Sequence, residues 1–130
     1  MDDLLSYAKD IAARVEAAAT KTGVPVAACV VDVHGNLVLL HRMSGAGLFA
    51  VEISERKAYT SALVGQRTAD LGPMVLPGQP LYPLLMMAGG RFTSMGGGIP
   101  LLEGGRVVAG VGVSGGTVDQ DVAIAEAAVG

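Results

Sequence analysis

Two carboxylates on consecutive turns of one predicted helix, Glu52 and Glu55, are the residues of this chain best suited to chemistry. The segment from Leu48 to Thr68 reads as a long helix. Projected at about 100° per residue, Leu48, Val51, Ala58, Tyr59, Ala62 and Leu63 share one broad stripe, and the two glutamates fall in its middle about 60° apart. Lys57, Ser54 and Ser61 project to the opposite side. A helix that turns two carboxylates toward apolar neighbours must satisfy them, because an unpaired buried charge is costly. Three partners meet that need. Glu-x-x-Glu can bind a metal cation through its oxygens, or a basic group can arrive from another subunit. Alternatively, Glu52 pairs with Arg56 four residues on while Glu55 reaches out at an edge.

A second candidate is the run Gly112-Val113-Ser114-Gly115-Gly116-Thr117 followed by Asp119-Gln120-Asp121. A glycine loop entering a helix N-terminus presents backbone N–H groups to a carboxylate or propionate, with Ser114, Gly115, Gly116, Thr117 and Asp119 around it. Asp119 and Asp121 can instead take those donors themselves as caps. The imidazoles are His34, in a turn, and His41, which alternates with Leu37 and Leu39 and so is expected to be partly buried on one sheet face. Two histidines and no Cys-x-x-Cys cannot build a zinc site, but one suffices for an axial haem ligand, which makes His41 the candidate. Lys57 reads as solvated on the polar side of its helix; if the helix is covered on both sides, its pKa falls and it becomes a base or an anion anchor. The lone Cys29, inside an apolar run, reads as a small buried hydrophobe. No Gly-x-Ser-x-Gly elbow or other arrangement marks a serine triad.

These residues need elements to position them. Residues 3 to 21 show helical periodicity through Leu4, Tyr7, Ala8, Ile11, Val15, Ala18 and Ala19, and Gly23 with Pro25 ends the helix. Val24 to Val33, apolar on both alternating faces, is a central strand. His34-Gly35-Asn36 supplies the turn, and Leu37 to Arg42 returns as its hairpin partner. After the long helix, residues 70 to 98 are irregular and proline-rich, with a helical turn at Leu81 to Met87; a loop of that length tends to be functional. Strand Ile99 to Leu102, a turn at Glu103-Gly104-Gly105, strand Arg106 to Val113 and a last helix over 118 to 128, capped by Thr117 or Asp119, complete the chain. The order α-β-β-α-loop-β-β-α predicts an α+β fold: a single antiparallel β-sheet built from two hairpins, with helices packed on it. No parallel βαβ unit surrounds Gly110-Val111-Gly112-Val113-Ser114-Gly115, which argues against a dinucleotide site.

Length and composition fit this architecture. Residues 1–130 are sized for one domain. Apolar residues make up 51% and charged ones 16% of the chain. So few charges on so small a domain leave apolar area uncovered, and subunit contacts are the expected cover. The net charge of −3, with Lys and Arg scattered, argues against nucleic acid. No apolar stretch approaches a membrane span, and Met1-Asp2-Asp3 leads into an amphipathic segment unlike a signal peptide, so a cytoplasmic location is expected.

The chain resembles the GlcG/HbpS-like haem-degrading family, which includes the C-terminal domain of PduO-type proteins. The stretches that carry the resemblance are Val31-Asp32-Val33-His34-Gly35-Asn36-Leu37-Val38, Arg42-Met43-Ser44-Gly45-Ala46 and Glu55-Arg56-Lys57-Ala58-Tyr59-Thr60-Ser61-Ala62. Gly97-Gly98-Ile99-Pro100-Leu101 and the Gly110 to Gly116 run with Asp119-Gln120-Asp121 follow in the same order. The resemblance implies a fold on an antiparallel sheet, assembly from dimers to octamers, and association with haem or corrinoids. It also implies iron binding by a Glu-x-x-Glu pair, matched here by Glu52-Ile53-Ser54-Glu55. No axial haem ligand transfers by motif.

The leading expectation is therefore a homo-oligomeric binding protein for haem, a related tetrapyrrole or its iron, with weak haem degradation. Backbone N–H groups, Lys57 or Arg91 would meet the propionates, Met86, Met87, Phe92 and Met95 would cover the ring, and the Pro/Gly loop would act as lid. A rival is a catabolic isomerase, tautomerase or lyase holding a small carboxylate at Ser114 to Thr117, with Glu52, Glu55 or Lys57 moving a proton. A third is a structural accessory protein whose carboxylates organise subunits.

Overall fold

Antiparallel strands β1 (Ala27–Asp32), β2 (Leu37–Arg42), β3 (Gly98–Glu103) and β4 (Arg106–Ser114) form one sheet in the order β2-β1-β4-β3. The structure is a computed structural model describing residues 3–130. Helices α1 (Leu4–Thr22) and α4 (Val118–Val129) lie together on one face of the sheet, and α2 (Ala50–Val64) lies on the other. The α+β architecture and element order match the sequence expectation.

Local chemistry sets the boundaries. Asp3 caps α1 by accepting the Ser6 N–H at 3.0 Å, and Gly23 ends the helix in the left-handed region at φ 71°. In the first hairpin, the Asp32 carboxylate accepts the N–H groups of His34 and Asn36, both at 2.9 Å. Gly35, at φ 82°, is required twice over: a Cβ there would be strained and would stand 2.6 Å from the Tyr59 ring. The first strand is shorter than expected, because Val24, Pro25 and Val26 precede the paired register, which starts at Ala27 opposite Arg42 and Ser114. The second helix is shorter as well. It starts at Ala50, leaving Leu48 and Phe49 exposed, and stops at Gly65 (φ 75°); a short α3 (Thr68–Leu71) follows. Beyond it the chain runs through 3-10 turns, including one over Tyr82–Met86 where a helical turn is expected.

The two sheet faces differ in kind. The face under α1 and α4 is an ordinary aliphatic core of Val26, Val30, Leu39, Ile99, Leu101, Val111 and Val113 packed on Ile11, Val15 and Ile124. Under α2, β4 presents Gly110 and Gly112 and β3 presents Gly98. A Cβ at any of the three would run into the α2 backbone at Ser54, Lys57, Ala58 or Ala62. The helix thus rests directly on sheet backbone, through its small residues Ser54, Ala58, Ser61 and Ala62 and the stem of Lys57. All five are buried.

Candidate functional site

The glycine floor decides which side of α2 is inside, and it turns the helix from the projected orientation: Ala58, Tyr59 and Ala62 of the expected stripe are buried, but Leu48, Leu63 and the two glutamates are not. Ser54, Lys57 and Ser61 form the buried side, with no exposure at any of the three. Glu52 and Glu55 point away from the sheet, their side chains 64% and 42% exposed. The hydroxyls inside are satisfied by backbone: Ser54 donates to Val51 O at 2.9 Å and Ser61 to Ala58 O at 2.9 Å. Counting apolar residues misleads here because the part of the partner surface at Gly98, Gly110 and Gly112 has no side chains to offer, while Ala58 and Ala62 pack on Cys29 and Val31 beside it.

Lys57 is not solvated. Its ammonium passes the end of the sheet beside Gly97, where a Cβ would lie 2.9 Å from Nζ, and donates to Val113 O at 2.7 Å and Asp121 Oδ2 at 3.0 Å. The other oxygen of Asp121 accepts the Gly116 N–H at 2.8 Å. Burial pushes the Lys57 pKa below its ordinary value, opposed by the charge of Asp121 and by its hydrogen bond. The pair ties α2 to α4 across the sheet.

That arrangement also fills the glycine loop. The Gly116 N–H is taken by Asp121, and the Thr117 N–H donates to Gln120 Oε1 at 2.9 Å while Thr117 Oγ1 accepts from Gln120 N at 3.2 Å, a reciprocal cap of α4. Ser114 is buried, and Gly115 lies against the backbone of Pro25 and Val26. Asp119 is exposed in the first turn of α4. Of the two uses considered for these amide donors, capping is the one adopted by Gly116 and Thr117.

Glu52, Glu55, Arg56 and Arg91 together line an open cleft of about 290 Å³. Arg56 donates to Glu52 Oε1 at 2.8 Å and also to the carbonyl of Gly90. Arg91 lies over the Tyr59 ring, 3.9 Å from its centroid, and Tyr59 is in tilted contact with Phe92 at 5.2 Å. The Arg91 guanidinium stands 3.9 Å from Glu55 Oε1, too far for a hydrogen bond. Buried Thr60 holds this segment in place: its hydroxyl accepts the Thr93 N–H at 2.9 Å and donates to Arg56 O at 2.8 Å. Of these residues, Glu52, Glu55 and Arg91 are legible as candidates in the sequence. Arg56 is given a role there only as the i,i+4 partner, and Tyr59 and Thr60, although inside a stretch that carries the resemblance, are assigned no part in the site.

His41 lies elsewhere. It is exposed rather than partly buried, its side chain 47% accessible, and its Nδ1 meets Glu16 Oε1 of α1 at 2.9 Å. The imidazole therefore sits on the α1 face, across the sheet from the glutamate pair on α2. Glu16 escapes notice in the sequence because nothing local to His41 reveals a partner 25 residues away. Cys29 is buried, and burial, reinforced by the Glu55 charge, pushes its thiol up to about 12. Among the described residues, no three His, Cys, Asp or Glu side chains gather as a metal centre, and no helix is long and apolar enough to cross a membrane.

Fold and site define a small sheet protein with one helix pressed onto a glycine floor and a charged cleft on that helix's outer side. The chain belongs to the HbpS-like family: the family model described as haem degrading protein HbpS-like matches residues 5–130. It is 43% identical over 125 residues to an uncharacterized 15.0 kDa protein from the dhaT-dhaS intergenic region of Citrobacter freundii, covering 96% of this chain and 88% of the relative. A crystal structure of PduOC in complex with haem is similar with a TM-score of 0.89 and 34% identity over 93% of this chain and 88% of that one. The Streptomyces reticuli HbpS, in a variant with two glutamates three positions apart replaced by aspartate, gives 0.88 and 30% over 96% and 83%.

Proposed function

We propose that this protein is a homo-oligomeric binding protein for haem or a related tetrapyrrole, that Glu52 and Glu55 handle its iron, and that it degrades haem weakly. The observation that carries the reading is an uncharged outer surface. From Leu71 to Gly90 the chain has no Asp, Glu, Lys, Arg or His, yet Leu76, Tyr82, Met86 and Met87 are exposed there. A charge-free segment with exposed apolar side chains favours a planar hydrophobic ligand, a second copy, or both. The PduOC:heme complex supports the first, and the self-complementarity of an uncharged patch supports the second.

The donor groups fit in type. The carboxylates of Glu52 and Glu55 are hard oxygen ligands suited to iron, and the HbpS variant altered at two glutamates of the same spacing supports their pairing. One chain offers two such ligands, so water or a second copy would complete the shell. His41 offers an imidazole whose Nε2 has no partner among the described residues. Because it lies across the sheet from Glu52 and Glu55 on α2, a tetrapyrrole touching both His41 and that pair would lie between two copies. When bound, haem would supply redox-active iron; this chain's part is to hold and cover it.

The test is a hemin titration of the purified chain. A Soret band that saturates at a fixed stoichiometry, shifts in His41→Ala and weakens in Met86→Asp is the expected result. Hemin absorption unchanged by the protein would overturn the proposal. Light scattering on the same samples should give an oligomer mass that falls in Met86→Asp.

A further inference from the structure

The cleft on α2 contains a charge pair that does not close. Arg91 is fixed by its stack on Tyr59, and its segment is pinned by the Thr93–Thr60 hydrogen bond. Among the described residues its guanidinium has no hydrogen-bond acceptor and neither carboxylate oxygen of Glu55 has a donor; the two side chains approach one another to 3.9 Å. A formed bond between two such groups would measure about 2.8 Å. Here the aromatic stack holds the donors on one side of a gap and the acceptors on the other. Arg56 and Glu52, already joined at 2.8 Å, wall the same space and leave the cleft neutral, with two positive and two negative groups.

A gap of this kind recognises a molecule with a carboxylate at one end and a hydrogen-bond donor beside it. We infer that the cleft lined by Glu52, Glu55, Arg56 and Arg91 is a binding site for a small carboxylate with a hydroxyl or ammonium on the adjacent carbon. The ligand carboxylate takes the planar fork of Arg91, which suits two parallel N–H···O bonds, and the donor reaches Glu55. The volume of about 290 Å³ suits a ligand of a few carbons rather than a tetrapyrrole. This inference goes beyond haem binding and does not rest on it. A cation on Glu55 and the bridging acid would exclude one another.

Lactate, alanine and propionate share one skeleton and carry a hydroxyl, an ammonium and no donor, so they separate the parts of the site. The full chain, labelled with nitrogen-15, is titrated with each well past the millimolar range while backbone amide shifts are followed. Lactate or alanine should move the amides of residues 52–56 and 90–93, with propionate about tenfold weaker for want of the donor. Stronger binding of alanine assigns an amino acid, and of lactate a hydroxy acid. Arg91→Lys keeps the charge and should weaken either ligand about tenfold by removing the fork. Glu55→Gln should weaken alanine more than lactate, since the amide oxygen accepts from either donor but only the ammonium loses an opposite charge. The inference is overturned if propionate binds as well as the other two, if Arg91→Lys changes nothing, or if none of the three moves these amides. An intact Soret band in the same protein would show that only this inference had fallen.

Discussion

Lys57 and Glu55 stand two residues apart on one helix, each with an opposite charge to meet, and the two pairs behave differently. Lys57 and Asp121 are sealed from solvent and joined at 3.0 Å, with a second ammonium proton taken by Val113 O and the second carboxylate oxygen by the Gly116 N–H. Glu55 and Arg91 are over two-fifths exposed and stop at 3.9 Å. A pair that is fully satisfied inside the protein has no capacity left for a ligand and serves the fold. One held open at the surface contributes little to stability and has that capacity. Ionisable residues on a helix next to a family motif are therefore not equivalent, and burial sorts them.

The sharpest way to break the comparison is to leave each pair with one partner. Asp121→Ala strands a buried ammonium and frees the Gly116 N–H, so the urea unfolding free energy should fall by about 3–5 kcal/mol. The double variant Lys57→Met with Asp121→Leu should be far less destabilised than the sum of its single changes, because no charge is then left unpaired. Additive losses would mean that the two side chains act independently.

Next in size is the floor on which Lys57 lies. Gly112→Ala would press a Cβ onto Ser54 and Ala58 of α2, 2.6 Å from the Ala58 N, and should cost about 1–3 kcal/mol in the same assay. Gly104→Ala, in the open β3–β4 turn where a Cβ meets nothing, tests the strain of a positive φ (60°) alone and should cost less.

This floor also explains what the sequence concealed. Strand and helix order, the hairpin at His34-Gly35-Asn36, the Thr117 cap and the two glutamates follow from periodicity, turn chemistry and spacing. The orientation of α2 does not. Projection onto a helical wheel assumes that the inward face is the apolar one, which holds where side chains meet side chains. Against Gly98, Gly110 and Gly112 the rule changes from apolar to small, and the stripe Ser54-Ala58-Ser61 becomes the buried one. The signal was present as a Gly-x-Gly alternation in a strand, where glycine marks close approach of another backbone. The Glu16–His41, Thr60–Thr93 and Lys57–Asp121 contacts span 25 to 64 residues and leave no local pattern.

Cys29 gives a pH-dependent contrast on the same sheet face. With the thiol raised from 9.0 to about 12, its thiolate fraction near pH 8 is about a thousandfold below that of an ordinary thiol. Reaction with an aromatic disulfide reagent at that pH should track global unfolding, and a fast second-order reaction of the folded chain would contradict the burial. The linkage has a definite sign. The folded state holds its proton more tightly than the unfolded one, so this contribution to stability is complete below pH 9 and is lost as pH rises toward 12. Cys29→Ala should flatten that decline.

The smallest expected stability effect belongs to the cleft itself. Glu55→Gln removes the charge that faces Arg91, and because the pair is exposed and unclosed, unfolding should change by no more than about 0.5 kcal/mol in either direction. Arg91→Leu should cost slightly more, about 0.5–1 kcal/mol, for the lost stack on Tyr59. Stability near wild type in Glu55→Gln, beside a large loss in Asp121→Ala, separates the two pairs by experiment. A loss in Glu55→Gln as large as that in Asp121→Ala would show instead that the outer pair is closed and buried in solution, as it would be if another copy of the chain covered the cleft. The same titration run across protein concentration distinguishes that cause, since stability lent by a second copy rises with concentration and stability within one chain does not.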